Sequence, residues 1–533
     1  MYLRSLVLTA CSGMLMVSAV AQNRPRGGGG QAPSPAAGET TPAAATPSST
    51  AFPAPPAVEK IEKSQHSISV NGKMIAYTAT AGTLVLPKDD GKPLASIFFV
   101  AYTRDDAGDK SKRPITFTFN GGPGSSSVWL HMGAFGPKRV AMGPDGAQPP
   151  PPYHLVDNDD TPLEFTDLVF IDPVTTGFSR HAPGENPAQF HSLEGDLDSV
   201  ADFIRLYTTK FERWDSPKFL AGESYGTTRS AGLSQVLMGK GIFLNGITLI
   251  SSVLNFETIS FAPGNDLPFI LYLPTYTASA WYHKKLVGDL QSGSIDKAVQ
   301  AARQFAGNEY TVALMKGAKL TAAERSNVAQ QVARLTGLSK EYVERSNLRI
   351  SIQRFAKELL RDEERTVGRY DSRLEGTDAD AAGERPEFDP SYSSVLGAYT
   401  ALFNDYVRTE LKFDSDQPYE ILTGKVQPWS YARQQNQYVN TAEMLREALE
   451  QIPTLNVMVA NGYYDMATPF FATEYTMSHL GGDKSLDNRI SLTYCEAGHM
   501  LYTRKSCLDE LHKNMADFYQ RSLSGGMQAT GGK

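Results

Sequence analysis

Three side chains able to carry out acyl transfer stand in one order along this chain: Ser224, Asp465 and His499. A serine hydroxyl attacks a carbonyl when a base takes its proton, and histidine does this best when a carboxylate orients it. Ser224 lies in Gly222-Glu223-Ser224-Tyr225-Gly226, a G-x-S-x-G pattern whose small flanking residues permit a sharp turn from strand to helix. Such a pattern recurs by chance in glycine-rich chains, so its surroundings decide its meaning. Residues 218–221 read as a short apolar strand and residues 227–238 as a helix. Asp465 ends the loop Asn461-Gly462-Tyr463-Tyr464-Asp465, just past an apolar strand at 455–460. His499 ends Glu496-Ala497-Gly498-His499, just past a strand at 490–494, and of nine histidines it alone follows a late strand downstream of such an acid.

An acyl-transfer site also needs donors for the oxyanion, one of them the amide after the nucleophile, here Tyr225. A second donor fits Phe119-Asn120-Gly121-Gly122-Pro123-Gly124-Ser125-Ser126-Ser127, where glycines after a strand let backbone approach a carbonyl closely. Phosphate binding is the competing use of such a loop, but the G-K-[ST] ending and the dinucleotide spacing are both absent from the sequence.

The elements that must hold these residues alternate in type. An Asn71-Gly72 turn and β-rich runs at 74–80, 97–103 and 115–119 predict an antiparallel lead-in. A buried strand at 168–172 follows, then a helix at 192–210 with Leu193, Leu197, Val200 and Ile204 on one face, and a further strand at 246–251. This alternation predicts an α/β fold with a mixed, mainly parallel sheet covered by helices, and Ser-Asp-His is the chain order of the α/β-hydrolase fold. From 262 to 427 the texture shifts to charged helices, among them one opened by the capping box Thr321-x-x-Glu324 and closed by Gly337. We read this stretch as a helical cap inserted between hydrolase segments 59–261 and 428–521.

The ends are of another kind. Residues 1–21 read as a secretory signal closing on Ala19-Val20-Ala21, with a lipobox at Leu8-Thr9-Ala10-Cys11 as the alternative. Residues 22–58 are a Pro/Ala/Gly-rich linker unable to bury enough surface to order itself, and 522–533 a Gly-rich flexible tail. No later run is long and apolar enough for a membrane span, so we expect an exported protein, periplasmic or secreted. A net charge of -7 and a pI near 5.8 give no reason to expect nucleic acid. No metal or cofactor motif is present in the sequence, and nothing in it fixes an oligomeric state. With Cys11 removed, Cys495 and Cys507 remain, either a disulfide or two separate buried thiols.

Taken together, Asn120-Gly121-Gly122-Pro123-Gly124-Ser125-Ser126, Asp172-Pro173 with Gly177-Phe178-Ser179, the Ser224 turn, Gly462 with Asp465, and Gly498-His499 resemble the serine carboxypeptidase family, peptidase family S10. The likeness spans roughly residues 66–520 and is nearer the bacterial exported branch, since the several disulfides of vacuolar and lysosomal members are missing. It implies a serine-type carboxypeptidase that takes single residues from peptide C-termini through an acyl-enzyme on Ser224. It also implies an oxyanion hole from the Gly122 and Tyr225 amides, and a terminal-carboxylate site from Asn120, Gly121 and Glu223. Two departures stand out. The acid that partners Glu223 in the family falls at Ala134, which puts carboxylate recognition and an acidic optimum in doubt, and Thr468 stands where relatives carry cysteine. The same triad would serve an esterase or acyltransferase, and the same fold an aminopeptidase, a prolyl peptidase or a silent binding protein.

Overall fold

In the computed structural model the described residues are 56–528; the expected signal, its lipobox and nearly all of the linker lie outside them. Nine strands form the path of one sheet: β1 (Lys60–Val70), β2 (Lys73–Pro87), β3 (Pro93–Arg104), β4 (Ile115–Phe119), β5 (Asp167–Ile171), β6 (Lys218–Ser224), β7 (Gly246–Ser252), β8 (Asn456–Gly462) and β9 (Ile490–Cys495). Their order across the sheet is β1-β2-β3-β5-β4-β6-β7-β8-β9, and the two-residue strand Arg180–His181 attaches to β3. Pairing is antiparallel from β1 to β5 and parallel from β5 to β9, the lead-in and parallel body that the sequence predicts. Asn71 and Gly72 both take positive φ, as the tight hairpin between β1 and β2 requires.

The strands read as unbroken apolar runs because both faces are covered. Successive side chains point to opposite faces, so Phe98, Leu168, Phe219 and Met458 enter one core while Phe99, Val169, Leu220 and Val459 enter the other. On the second face lie α1 (Leu193–Lys210) and α2 (Tyr225–Gly239). On the first lie α3 (Pro390–Thr409), through Val395, Tyr399 and Phe403, and α4 (Lys505–Gln528), through Leu511, Met515 and Phe518. Helix α4 runs through Ser522, so the expected loose tail does not begin there; its last residues lie outside the described ones.

The expected cap divides in two. Residues from Tyr272 to Val367 build a separate core that Met466, beyond β8, also enters, with Tyr276 stacked on Phe355 at 4.1 Å, and the Thr321/Glu324 capping box is formed with Gly337 left-handed beyond it. The later part, α3 and residues 411–421, instead packs on the sheet. Its segment 420–422 forms bridges to Gly177 and Ser125, so it walls the cleft described next.

Candidate active site

Parallel strands carry loops at their C-terminal ends, and β6, β8 and β9 deliver Ser224, Asp465 and His499 to that edge. Ser224 takes φ 61 and ψ -130, a conformation that side chains other than glycine rarely adopt. It is the last residue of β6, and Tyr225 opens α2 at once, so the elbow expected from the G-x-S-x-G pattern is present.

Asp465 and His499 are fully buried, with Asp465 Oδ2 2.8 Å from His499 Nδ1. Oδ1 accepts the backbone N–H groups of Ala467 (2.8 Å) and Thr468 (3.0 Å), and Oδ2 also accepts the Thr468 hydroxyl at 2.7 Å. Four donors thus fix the carboxylate. A carboxylate only accepts, so Nδ1 carries the imidazole hydrogen and Nε2 is left as a base. The ring is set by its backbone too, because the His499 carbonyl accepts from Ser251 Oγ at 2.6 Å and its N–H donates to the Tyr370 carbonyl at 2.6 Å. Burial opposes charge on His499, but the charge and hydrogen bond of Asp465, with Glu223 adding, hold its pKa above the ordinary value.

Ser224, His499, Glu223, Asn120 and Gly121 line one open cleft. A β-carbon on Gly121 would lie 2.3 Å from the Tyr225 nitrogen, so a side chain there would fill the space in front of that amide. The glycine loop is pinned on both sides. Asp172 Oδ1 accepts Ser127 N and Oγ, each at 2.8 Å, and Arg229 Nη1 donates to the Asn120 carbonyl at 2.6 Å. The Asp172 to Ser179 motif is therefore scaffolding: Ser179 Oγ donates to the Asp172 carbonyl at 2.6 Å and accepts from Phe98 N at 2.8 Å.

Glu223 is buried, and burial pushes its carboxyl up to about 7 although His499, Tyr502 and Asn120 all favour the anion. Tyr502 donates to its Oε2 at 2.6 Å. Asn120 Oδ1 accepts from Leu130 N at 3.0 Å, while its buried Nδ2 lies beside Glu223 and Tyr502 without completing a hydrogen bond of full geometry. Ala134 is wholly buried in the turn His131–Phe135.

Cys495 and Cys507 form a disulfide, tying the end of β9 to the start of α4 on either side of His499. Protein lacking residues 1–21 should react with a thiol reagent under denaturing conditions only after reduction. Labelling without reductant contradicts the bond.

Sequence reasoning missed Asp196, Arg229, Tyr502 and Ser251. Asp196 and Arg229 had a usable signal: Asp196 falls between Leu193 and Val200 on the apolar stripe of α1, where a charge needs a buried partner. Tyr502 and Ser251 carried none. Among the described residues no cluster of His, Cys, Asp or Glu could hold a metal, and no helix is long and apolar enough to cross a membrane.

The sheet order, the strained elbow and the acid and base beyond the last strands define the α/β-hydrolase class. The chain belongs to the serine carboxypeptidase family, which it matches over residues 79–501. It is similar to the pheromone-processing carboxypeptidase KEX1 of Phaeosphaeria nodorum, 28% identical over 157 residues, which are 28% of this chain and 22% of that protein. KEX1 of Saccharomyces cerevisiae is 33% identical over 135 residues, 24% of this chain and 17% of that protein. The chain thus spans about a fifth of the length of these curated relatives. The crystal structure of Kex1(delta)p from Saccharomyces cerevisiae, a prohormone-processing carboxypeptidase, aligns over 83% of this chain and 91% of that one, at 18% identity and a TM-score of 0.49.

Proposed function

We propose that this protein is a serine carboxypeptidase that removes single residues from peptide C-termini through an acyl-enzyme on Ser224. What carries the reading is a buried, titratable carboxyl, Glu223, immediately before a nucleophile whose base is fixed by Asp465. An exopeptidase must recognise a chain end, and a buried carboxyl lining the cleft beside Ser224 can do so when it is protonated.

His499 Nε2 takes the Ser224 proton as Oγ attacks the last peptide carbonyl, and Asp465 stabilises the imidazolium that forms. The Gly122 and Tyr225 amides hold the oxyanion, each able to contribute on the order of 3 kcal/mol to the transition state. His499 then returns the proton to the leaving amino group, and water repeats the sequence on the ester. Asn120, Gly121 and Glu223 receive the terminal carboxylate. The single disulfide among the described residues supports a place in the bacterial exported branch, and the signal-like residues 1–21 support a periplasmic or secreted site of action.

A mass-spectrometric time course on one peptide, free and C-terminally amidated, tests this. We expect stepwise loss of single C-terminal residues from the free peptide and strongly reduced turnover of the amide. Residues released from the N-terminus, or indifference to amidation, would overturn it.

A further inference from the structure

Glu223 has a phenol beside it where the family pattern implies a second carboxyl. Tyr502 Oη donates to Glu223 Oε2 at 2.6 Å, and both side chains are buried. Burial holds the Tyr502 phenol well above its ordinary pKa, so it stays a donor throughout the neutral range. The space near position 134 is taken: a β-carbon on the adjacent Gly133 would lie 2.5 Å from both the Tyr399 hydroxyl and the Tyr502 ring. Tyr502 sits three residues beyond His499, inside the segment closed by the disulfide, so one tethered loop carries both base and phenol.

We propose that Tyr502 is a positioning residue that presents Glu223 to a substrate's terminal carboxylate, taking over the part of a second carboxylic acid. This rests on the carboxypeptidase reading. With Oε2 engaged by the phenol, the proton of neutral Glu223 resides on Oε1, the oxygen left for a ligand. Asn120 Nδ2, which lies beside Glu223 and Tyr502 without completing a hydrogen bond of full geometry to either, supplies a second donor. A terminal carboxylate then meets two neutral donors and no anion. A second carboxyl would itself have to be protonated, whereas a phenol already is, so docking needs one proton in place of two. Six residues bear on Glu223: His499 and Asp465 from the strand-end loops, Tyr370 and Tyr399 from the inserted region, Tyr502 and Asn120. The three phenols, each held above its ordinary pKa, and the Asn120 amide are neutral there, so His499 and Asp465 are the ionisable partners among them. Burial places the Glu223 titration at about 7, so the donor is present below that pH and becomes a repelling anion above it.

The test measures kcat and KM for a free peptide and its C-terminal amide across the pH range, with the full chain. In the wild type, KM for the free peptide should be flat below about pH 7 and climb about tenfold per pH unit above it, with no such climb for the amide. Tyr502→Phe should raise KM for the free peptide about tenfold at mildly acid pH, with a smaller change in kcat. Because the phenol's hydrogen bond favours the anion, the climb should also move to higher pH in this variant. An unchanged KM with an unshifted climb overturns the proposal.

Labelling of Ser224 by an organophosphonate reports whether Tyr502→Phe is folded. If it is not, Glu223→Gln decides. The phenol would donate to the amide oxygen and turn its NH2 toward the ligand, so preference for the free peptide should persist and lose its pH dependence. A Gln variant with no such preference in mild acid overturns the proposal. A wild type that releases no C-terminal residue defeats the carboxypeptidase reading itself.

Discussion

Ser224→Gly is expected to abolish turnover and at the same time to stabilise the protein by about 1 kcal/mol. At φ 61 and ψ -130 a serine side chain is held where only glycine is at ease, at a cost of roughly 1 to 3 kcal/mol. Glycine removes that cost but gives back roughly 0.5 to 1 kcal/mol through the freer unfolded chain. Ser224→Ala keeps the β-carbon and so the strain, while deleting the same hydroxyl. Both variants should lose on the order of 10⁴ to 10⁶ in kcat if Ser224, His499 and Asp465 act as the proposed triad, whose members work as a unit. Urea unfolding of the two inactive proteins then isolates the backbone contribution. A glycine variant no more stable than the alanine variant would mean that the elbow stores no strain.

The strain is tolerated because it serves position. Lifting the hydroxyl from the end of β6 puts it in the cleft that His499 reaches from β9, with α2 starting at the next residue. Evolution keeps such a residue only where the surrounding sheet over-determines it, and here β6 lies between β4 and β7, buried on both faces.

The parallel body of the sheet could be read in advance because its strands are short, apolar and separated by strong turn and helix signals. Leu220 and Val459 announce burial by type alone, and Ser224, Asp465 and His499 each follow a strand that is plain in the sequence. What stayed hidden was the long-range pairing of polar groups. Nothing near Tyr502 in the chain reveals that its hydroxyl meets Glu223, a contact across 279 positions. Thr468 was visible only as a departure from a cysteine; its hydroxyl proves to be a donor to the catalytic-acid candidate. The split of the inserted region was hidden for a similar reason. Helix α3 has the same amphipathic texture as the helices before it, and only the tertiary fold decides that Tyr399 and Phe403 join the core on the sheet while Val332 and Phe355 join the core of the inserted region.

Asp196→Ala is the substitution away from the triad for which we expect the largest loss of stability, about 3 to 5 kcal/mol in equilibrium unfolding. Asp196 on α1 and Arg229 on α2 are both buried, joined by Nε–Oδ2 at 2.8 Å and Nη2–Oδ1 at 3.1 Å. Removing the carboxylate strands a guanidinium in the core, lying 5.2 and 5.3 Å from the centres of the Phe119 and Tyr225 rings. A buried ion pair is nevertheless a poor source of net stability, since desolvating two charges offsets most of their attraction. Replacing both partners, with Asp196→Leu and Arg229→Met, should therefore recover most of the loss. Activity should not return with it. Arg229 Nη1 also donates to the Asn120 carbonyl, and without that bond the glycine loop loses its tie to α2. Small displacements of oxyanion donors are expensive, so the doubly apolar variant should fold yet remain at least tenfold down in kcat. Full activity in that variant would show that the pair serves stability alone; a folded but slow enzyme would show that this charge pair is kept to hold the glycine loop in register with Ser224.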